Sequence, residues 1–217
     1  MQAVSFFLDI NMQKVLIIQG SLNPKSKTAI VAQEAEKFLH RFDDIDCQTL
    51  DLRYFEMQFC DGRKLQDYGS DTKKAYEMVR ESDALIIGMP VYCYSVSGPL
   101  KNLIDITSSA MENKVAGILC TTGSSMSYLA SADLVKILAY ESQVLSVQPV
   151  VCSSDEDFKD GKLESQKVHD KLHAMIEVLI SLLKVRRSGL LTVRRDTFFN
   201  PGACFSSFDV FMVFANS

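Results

Sequence analysis

The chain has 217 residues, 47% hydrophobic and 23% charged, which excludes disordered and low-complexity classes. At roughly 100–200 residues per domain there is room for one full core with terminal extensions, not for two independent domains. A net charge of −4 excludes a broad basic surface for nucleic acid, so any phosphate binding has to be local. No apolar run approaches the ~20 residues of a membrane span, and the six cysteines lack any CxxC or metal-like spacing. They read as reduced thiols of a cytoplasmic protein.

Residues 1–13 read as an N-terminal extension: Val4 to Leu8 has no basic residue before it and no small-residue cleavage site after it, so neither a signal peptide nor an anchor is expected. From Lys14 the hydrophobic period switches repeatedly. Val15-Leu16-Ile17-Ile18 predicts a buried strand, and Ile30, Val31, Ala35, Phe38, Leu39 and Phe42 predict a helix. A second strand is expected over Cys47 to Leu52, a helix around Ala75, Met78 and Val79, and a third strand over Ala84 to Gly88. Leu100, Leu103, Ile104 and Thr107 form the next helical face, Val115 to Cys120 the fourth strand, and Leu129, Leu134, Ile137 and Leu138 a further helix. Val147 to Cys152 predicts the fifth strand, and Val168, Leu172, Met175, Ile176, Leu179, Ile180 and Leu183 the last helix. Residues 188–217, with six phenylalanines and no sustained period, are expected outside the core.

Strands that are apolar throughout are buried on both faces, so residues 14–187 predict an α/β fold: a doubly wound, five-stranded parallel sheet with helices on both faces. Such sheets bind ligands at the carboxyl ends of their strands, which directs attention to the loops after the first, third and fourth. The first, Gly20 to Thr28, delivers hydroxyls, an amide side chain and free backbone N–H groups to a helix start, and so suits a phosphate. It is neither a Walker A loop, since Ser26 precedes Lys27-Thr28 where glycine is required, nor a GxGxxG fingerprint; a monophosphate fits better than a triphosphate. In the second, aromatic side chains beside the Pro90 turn offer a flat apolar surface for a ring. In the third, Gly123 lets backbone approach a ligand closely.

The segment Pro90-Val91-Tyr92, followed by Ser95 and then by Gly98-Pro99-Leu100-Lys101-Asn102-Leu103-Ile104-Asp105, resembles the signature of the NADPH-dependent FMN reductase family of flavodoxin-like flavoproteins. The likeness runs from about Lys14 to Val185. It implies FMN with its phosphate among Ser21, Asn23, Ser26 and Thr28. Its ring would lie along Pro90, Val91, Tyr92, Cys93, Tyr94 and Ser95, with Thr121, Thr122, Gly123 and Ser124 closing the site. Asn23, Val91 and Cys93 stand where members often carry Arg, Glu and Asn. Lys101, Asn102 and Asp105 are expected to orient the helix rather than to react. The resemblance further implies hydride transfer from NADPH (or NADH) to FMN, electron delivery to a flavin, quinone, azo or metal acceptor, no catalytic acid or base, and a homodimer or homotetramer.

Two other classes share the sheet. A non-enzymatic flavodoxin-like electron carrier would have a more continuous Ser/Thr/Gly loop than one containing Lys25 and Lys27, and a phospho-acceptor domain would need acids where Gln19, Gly20 and Ser21 stand. His169 and His173, at i and i+4, lack the glutamate of a metalloprotease helix and are expected on a solvated face. Cys93 has no basic neighbour in sequence and reads as a small hydrophobe. Phe59 to Arg63 reads as an exposed turn, and no Ser-His-Asp set or GxSxG elbow supports hydrolysis.

Overall fold

Successive side chains of a strand point to opposite faces, and a run that is apolar at every position therefore has to be covered on both. The computed structural model, which describes residues 12–187, shows this for β1 (Gln13–Gln19), where Val15 and Ile17 join one core and Leu16 and Ile18 the other. The first core lies under α1 (Lys27–Leu39) and α5 (Gln166–Arg187). The second lies under α2 (Ser70–Glu81), α3 (Gly98–Met111) and α4 (Ser131–Ser142). Residues 1–11 of the expected N-terminal extension 1–13, and the expected extension 188–217, lie outside the described residues; Gln13 already belongs to β1, and its side-chain amide donates to Leu183 O at 3.1 Å.

Parallel pairing runs β2 (Ile45–Asp51), β1, β3 (Ala84–Tyr92), β5 (Val115–Thr121). Beyond β5, only Val151 and Cys152 of the expected fifth strand Val147 to Cys152 are strand, in β7 (Val151–Ser153); a separate β6 (Leu145–Ser146) precedes it, and each pairs with β5. Pro149, which has no N–H to donate, stands in the gap. A further short strand, β4 (Ser95–Val96), pairs antiparallel with the end of β3, and β8 (Phe158–Lys159) forms a separate hairpin with β9 (Lys162–Leu163). The sheet thus has seven strands where five were expected, the additions being β4 and the division of the last strand.

Two departures concern helices. Leu129, expected on the helix after the fourth strand, lies on a helical turn before α4 and is 66% exposed. His169 and His173 are not on a solvated face: His173 stacks on Phe38 with ring centroids 3.8 Å apart, and the ring Nε2 of His169 lies 3.2 Å from Leu163 O. Both rings thereby join α5 to what it covers.

The strand ends meet tightly. Gly20 N donates to Gly88 O at 2.9 Å, and a Cβ on Gly20 would stand 2.7 Å from that oxygen and 2.9 Å from Leu100 Cβ. Gly20→Ala is therefore expected to cost about 1–3 kcal/mol of stability, because the obstacle is backbone rather than a side chain that can turn away. Urea unfolding of the variant checks this; an unchanged midpoint would contradict the close approach.

Candidate active site

The register aligns the carboxyl ends of β1, β3 and β5, with Gln19 opposite Gly88 and Pro90 opposite Thr121, so the three loops named by the sequence leave the sheet side by side. The first of them ends on α1. Ser26 is its N-cap, and its Oγ accepts from Ala29 N at 3.1 Å. The amides of Ser26, Lys27 and Thr28 in the same turn have no intrahelical acceptor, by helix geometry. Ser21 Oγ accepts from Asn23 N, and Asn23 Oδ1 accepts from Lys25 N. Ser21 and Ser26 accept through oxygen and keep their protons to donate. Thr28 is buried, and its methyl would stand 2.9 Å from a Cβ on Gly88. The loop therefore presents donors. Asn23 is exposed, whereas Lys27 leans away to pair with Asp155 at 2.8 Å over the ring of Phe158.

The second loop is shorter than the sequence suggests. Pro90, Val91 and Tyr92 are on β3 and Ser95 on β4, with Val91 opposite Val96 and Tyr92 opposite Ser95. Only Cys93 and Tyr94 form the turn, both left-handed, at φ 50° and 58°. That is the conformation of a two-residue hairpin whose favoured residues are Asn-Gly, and neither stands here. The turn is held from outside, since Ser95 Oγ donates to Asp133 Oδ2 on α4 at 2.8 Å. Pro90 is buried, Val91 half-buried, and Tyr92 and Tyr94 are 48% and 68% exposed. In the third loop, Thr121 completes β5 and Thr122 binds the neighbouring strand, its N donating to Ser153 O at 2.9 Å and its hydroxyl to Ser124 O at 2.6 Å. Gly123 and Ser124 are exposed, and a Cβ on Gly123 would meet nothing within 4 Å.

Several supports lie outside the set of residues named from the sequence. Gln19 donates through Nε2 to Ser21 O at 2.8 Å and to Asp51 Oδ1 at 2.9 Å, and accepts from Ser21 N. Arg53 grips both oxygens of Asp51 and reaches Pro24 O at 3.4 Å, so the end of β2 braces the first loop. Burial alone would push the Asp51 carboxyl up, but hydrogen bonds and charge from Arg53, with a bond from Gln19, outweigh it and hold it below the ordinary carboxylate range. Ser97, buried at the start of α3, donates to Gly20 O at 3.0 Å. Asn102 accepts from Cys60 N at 2.8 Å and donates to Gln58 O at 2.9 Å, the orienting role expected of it, while Lys101 pairs with Asp105 along α3.

Residues 13–159 match the family described as NADPH-dependent FMN reductase. The chain belongs to that family. As an NADPH-dependent FMN reductase family member it is an FMN-dependent, NAD(P)H-using oxidoreductase. It is 35% identical over 127 residues to an NAD(P)H-dependent FAD/FMN reductase of Geobacillus thermodenitrificans, covering 58% of this chain and 69% of that one. An FMN-dependent NADPH-azoreductase of Staphylococcus saprophyticus is 25% identical over 181 residues, covering 79% and 95%. Among solved structures, an oxidoreductase from Corynebacterium diphtheriae superposes with a TM-score of 0.69 at 19% identity, over 80% of this chain and 98% of that one, a likeness of fold.

The residues of this reductase fit a flavin mononucleotide. A phosphate monoester accepts hydrogen bonds, and the first loop offers protons from amides and hydroxyls; a planar ring needs apolar surface and open approach, which the hairpin tyrosines and Gly123 provide. Thr28→Val preserves the methyl against Gly88 and removes the hydroxyl, so FMN should bind about tenfold more weakly (~1.4 kcal/mol) with little change in unfolding midpoint. Gly123→Ala should likewise leave stability intact while weakening FMN, both read by fluorescence titration. Because the Asp51 pKa is depressed on folding, its stabilisation is present above the unfolded value of about 3.9 and is lost as pH falls through the folded value. The stability gap between the natural chain and Asp51→Asn should thus be open at pH 7 and close on acidification.

Proposed function

We propose that FMN sits across the three loops with its phosphate on Ser21, Asn23, Ser26 and Thr28. In this reading its ring lies along Pro90, Val91, Tyr92, Cys93, Tyr94 and Ser95, and is closed by Thr121, Thr122, Gly123 and Ser124. The observation that carries the reading is the first turn of α1, where Ser26, Lys27 and Thr28 present amides that the helix itself cannot satisfy, beside hydroxyls that can still donate. The chemistry that FMN supplies when bound is acceptance of a hydride from NADPH and delivery of electrons to a small flavin, quinone, azo or metal acceptor. The protein's own part is binding and orientation. The hairpin fixes the ring wall, the open side at Gly123 leaves an approach for donor and acceptor in turn, and no side-chain acid or base is needed.

A homodimer or homotetramer is proposed on the exposed Tyr54 and Phe59, which lie in the segment between β2 and α2. A cytoplasmic location is supported by the free thiols Cys47, Cys60, Cys93, Cys120 and Cys152.

An anaerobic absorbance titration tests the function. The chain is loaded with FMN, the oxidised band near ~450 nm is recorded, and NADPH and NADH are added separately. Rapid bleaching, faster with NADPH, is expected. Bound flavin that stays oxidised with both would point to an electron carrier, and failure to bind FMN would remove the site assignment.

A further inference from the structure

A cleft of about 910 Å³ opens at the sheet edge between α4 and α5, where the last strand is broken. Cys152 of β7 lines it. Directly opposite, in register on β5, stands Cys120, which is fully buried. Neighbouring strands lie ~4.8 Å apart, inside the ~4.4–6.8 Å that separates the α-carbons of disulfide-bonded cysteines. The strand parity agrees: Leu119 and Val151 both join the core under α1 and α5, so the next residue of each strand points the other way. One thiol is reachable from solvent, and the other backs it.

One charge of the cleft, Lys171 from α5, favours a thiolate on the reachable sulfur. Lys136 from α4, paired with Asp133, and Lys167 from α5 also line the cleft, against Glu156 and Asp157 from the turn before β8. The interaction between the two sulfurs, with a contribution from Lys171, brings Cys152 down to about 7, while that interaction and burial push Cys120 up and keep it protonated.

We propose that Cys152 and Cys120 form a peroxide-reactive dithiol site, beside Thr122 of the loop after β5, in which Cys152 attacks a hydroperoxide and Cys120 resolves the product as a disulfide between β5 and β7. The thiolate sulfur of Cys152 attacks one peroxide oxygen. An S–O bond forms, the O–O bond breaks, and the second oxygen leaves as water (or an alcohol) after taking up a proton, giving the sulfenic acid. The sulfur of Cys120 then attacks that of Cys152; the S–S bond forms, the S–O bond breaks, and the hydroxyl leaves with the Cys120 proton as water. The two thiols supply both electrons, and the peroxide is the oxidant.

The test is peptide mapping of the full chain after treatment with hydrogen peroxide, under non-reducing conditions. The expected product is a single cross-linked pair containing Cys120 and Cys152, with the loss of two hydrogen atoms, ahead of modification at the exposed Cys60 and Cys93. Cys120→Ala should stop at a sulfenic acid on Cys152 that dimedone captures, Cys152→Ala should leave Cys120 unmodified, and Lys171→Gln should slow the reaction several-fold. Both thiols remaining free while Cys60 or Cys93 oxidises would overturn the proposal. So would a sulfenic acid on Cys152 that persists beside an intact Cys120. Should the alanine variants fail to fold, the mapping of the natural chain decides alone.

Discussion

The site depends on one steric constraint, the contact between the ends of β1 and β3 at Gly20 and Gly88. The two backbones approach until there is no room for a Cβ on Gly20, and on the other side the Thr28 methyl leaves no room for a Cβ on Gly88. Because Gly20 is pinned by Gly88 O and its own carbonyl is held by Ser97, the first loop starts from a fixed point on the sheet. The start of α1 is then set by the Thr28 contact rather than by the loop's flexibility. A phosphate site made of backbone amides works only if those amides are aimed in advance, and here the packing of two strands and one helix does the aiming.

The electrostatics follow the same economy. Of the cations near the first loop, Lys27 is committed to Asp155 and Arg53 to Asp51, while Lys25, exposed within the loop, has no ion-pair partner among the described residues. Dipoles and hydroxyl protons supply the rest of the site, with Arg53 acting through the backbone of Pro24 as a brace. Donors of this kind would let a chain of net charge −4 hold the proposed phosphate.

Much of this architecture was legible in the sequence because strands covered on both faces write themselves as unbroken apolar runs, as Ala84 to Ile87 does. The first loop was legible too, since a helix start after a Gly/Ser turn is a local feature. What escaped notice was tertiary. Cys93-Tyr94 carries no hairpin signature, and its left-handed turn is held by Asp133, far along the chain. Leu129 has the spacing of a core residue but falls on a turn that ends before the helix begins. His173 is polar by type yet stacks on Phe38 because α1 and α5 share one face of the sheet. Gln19, Asp51 and Cys152 acquire their roles from strand register, which no single segment encodes.

The interrupted last strand has a consequence for behaviour at high concentration. An open sheet ends in two rows of unpaired backbone groups, each a template on which another chain could add a strand. At one end β2 presents Asp46, Gln48 and Thr49 among its residues, whose solvation resists burial under a neighbour. At the other, β6 and β7 are too short, and the Pro149 gap too abrupt, to offer a continuous ladder. The break that exposes Cys152 to its cleft thus also guards the molecule against growth into fibrous assemblies through that edge.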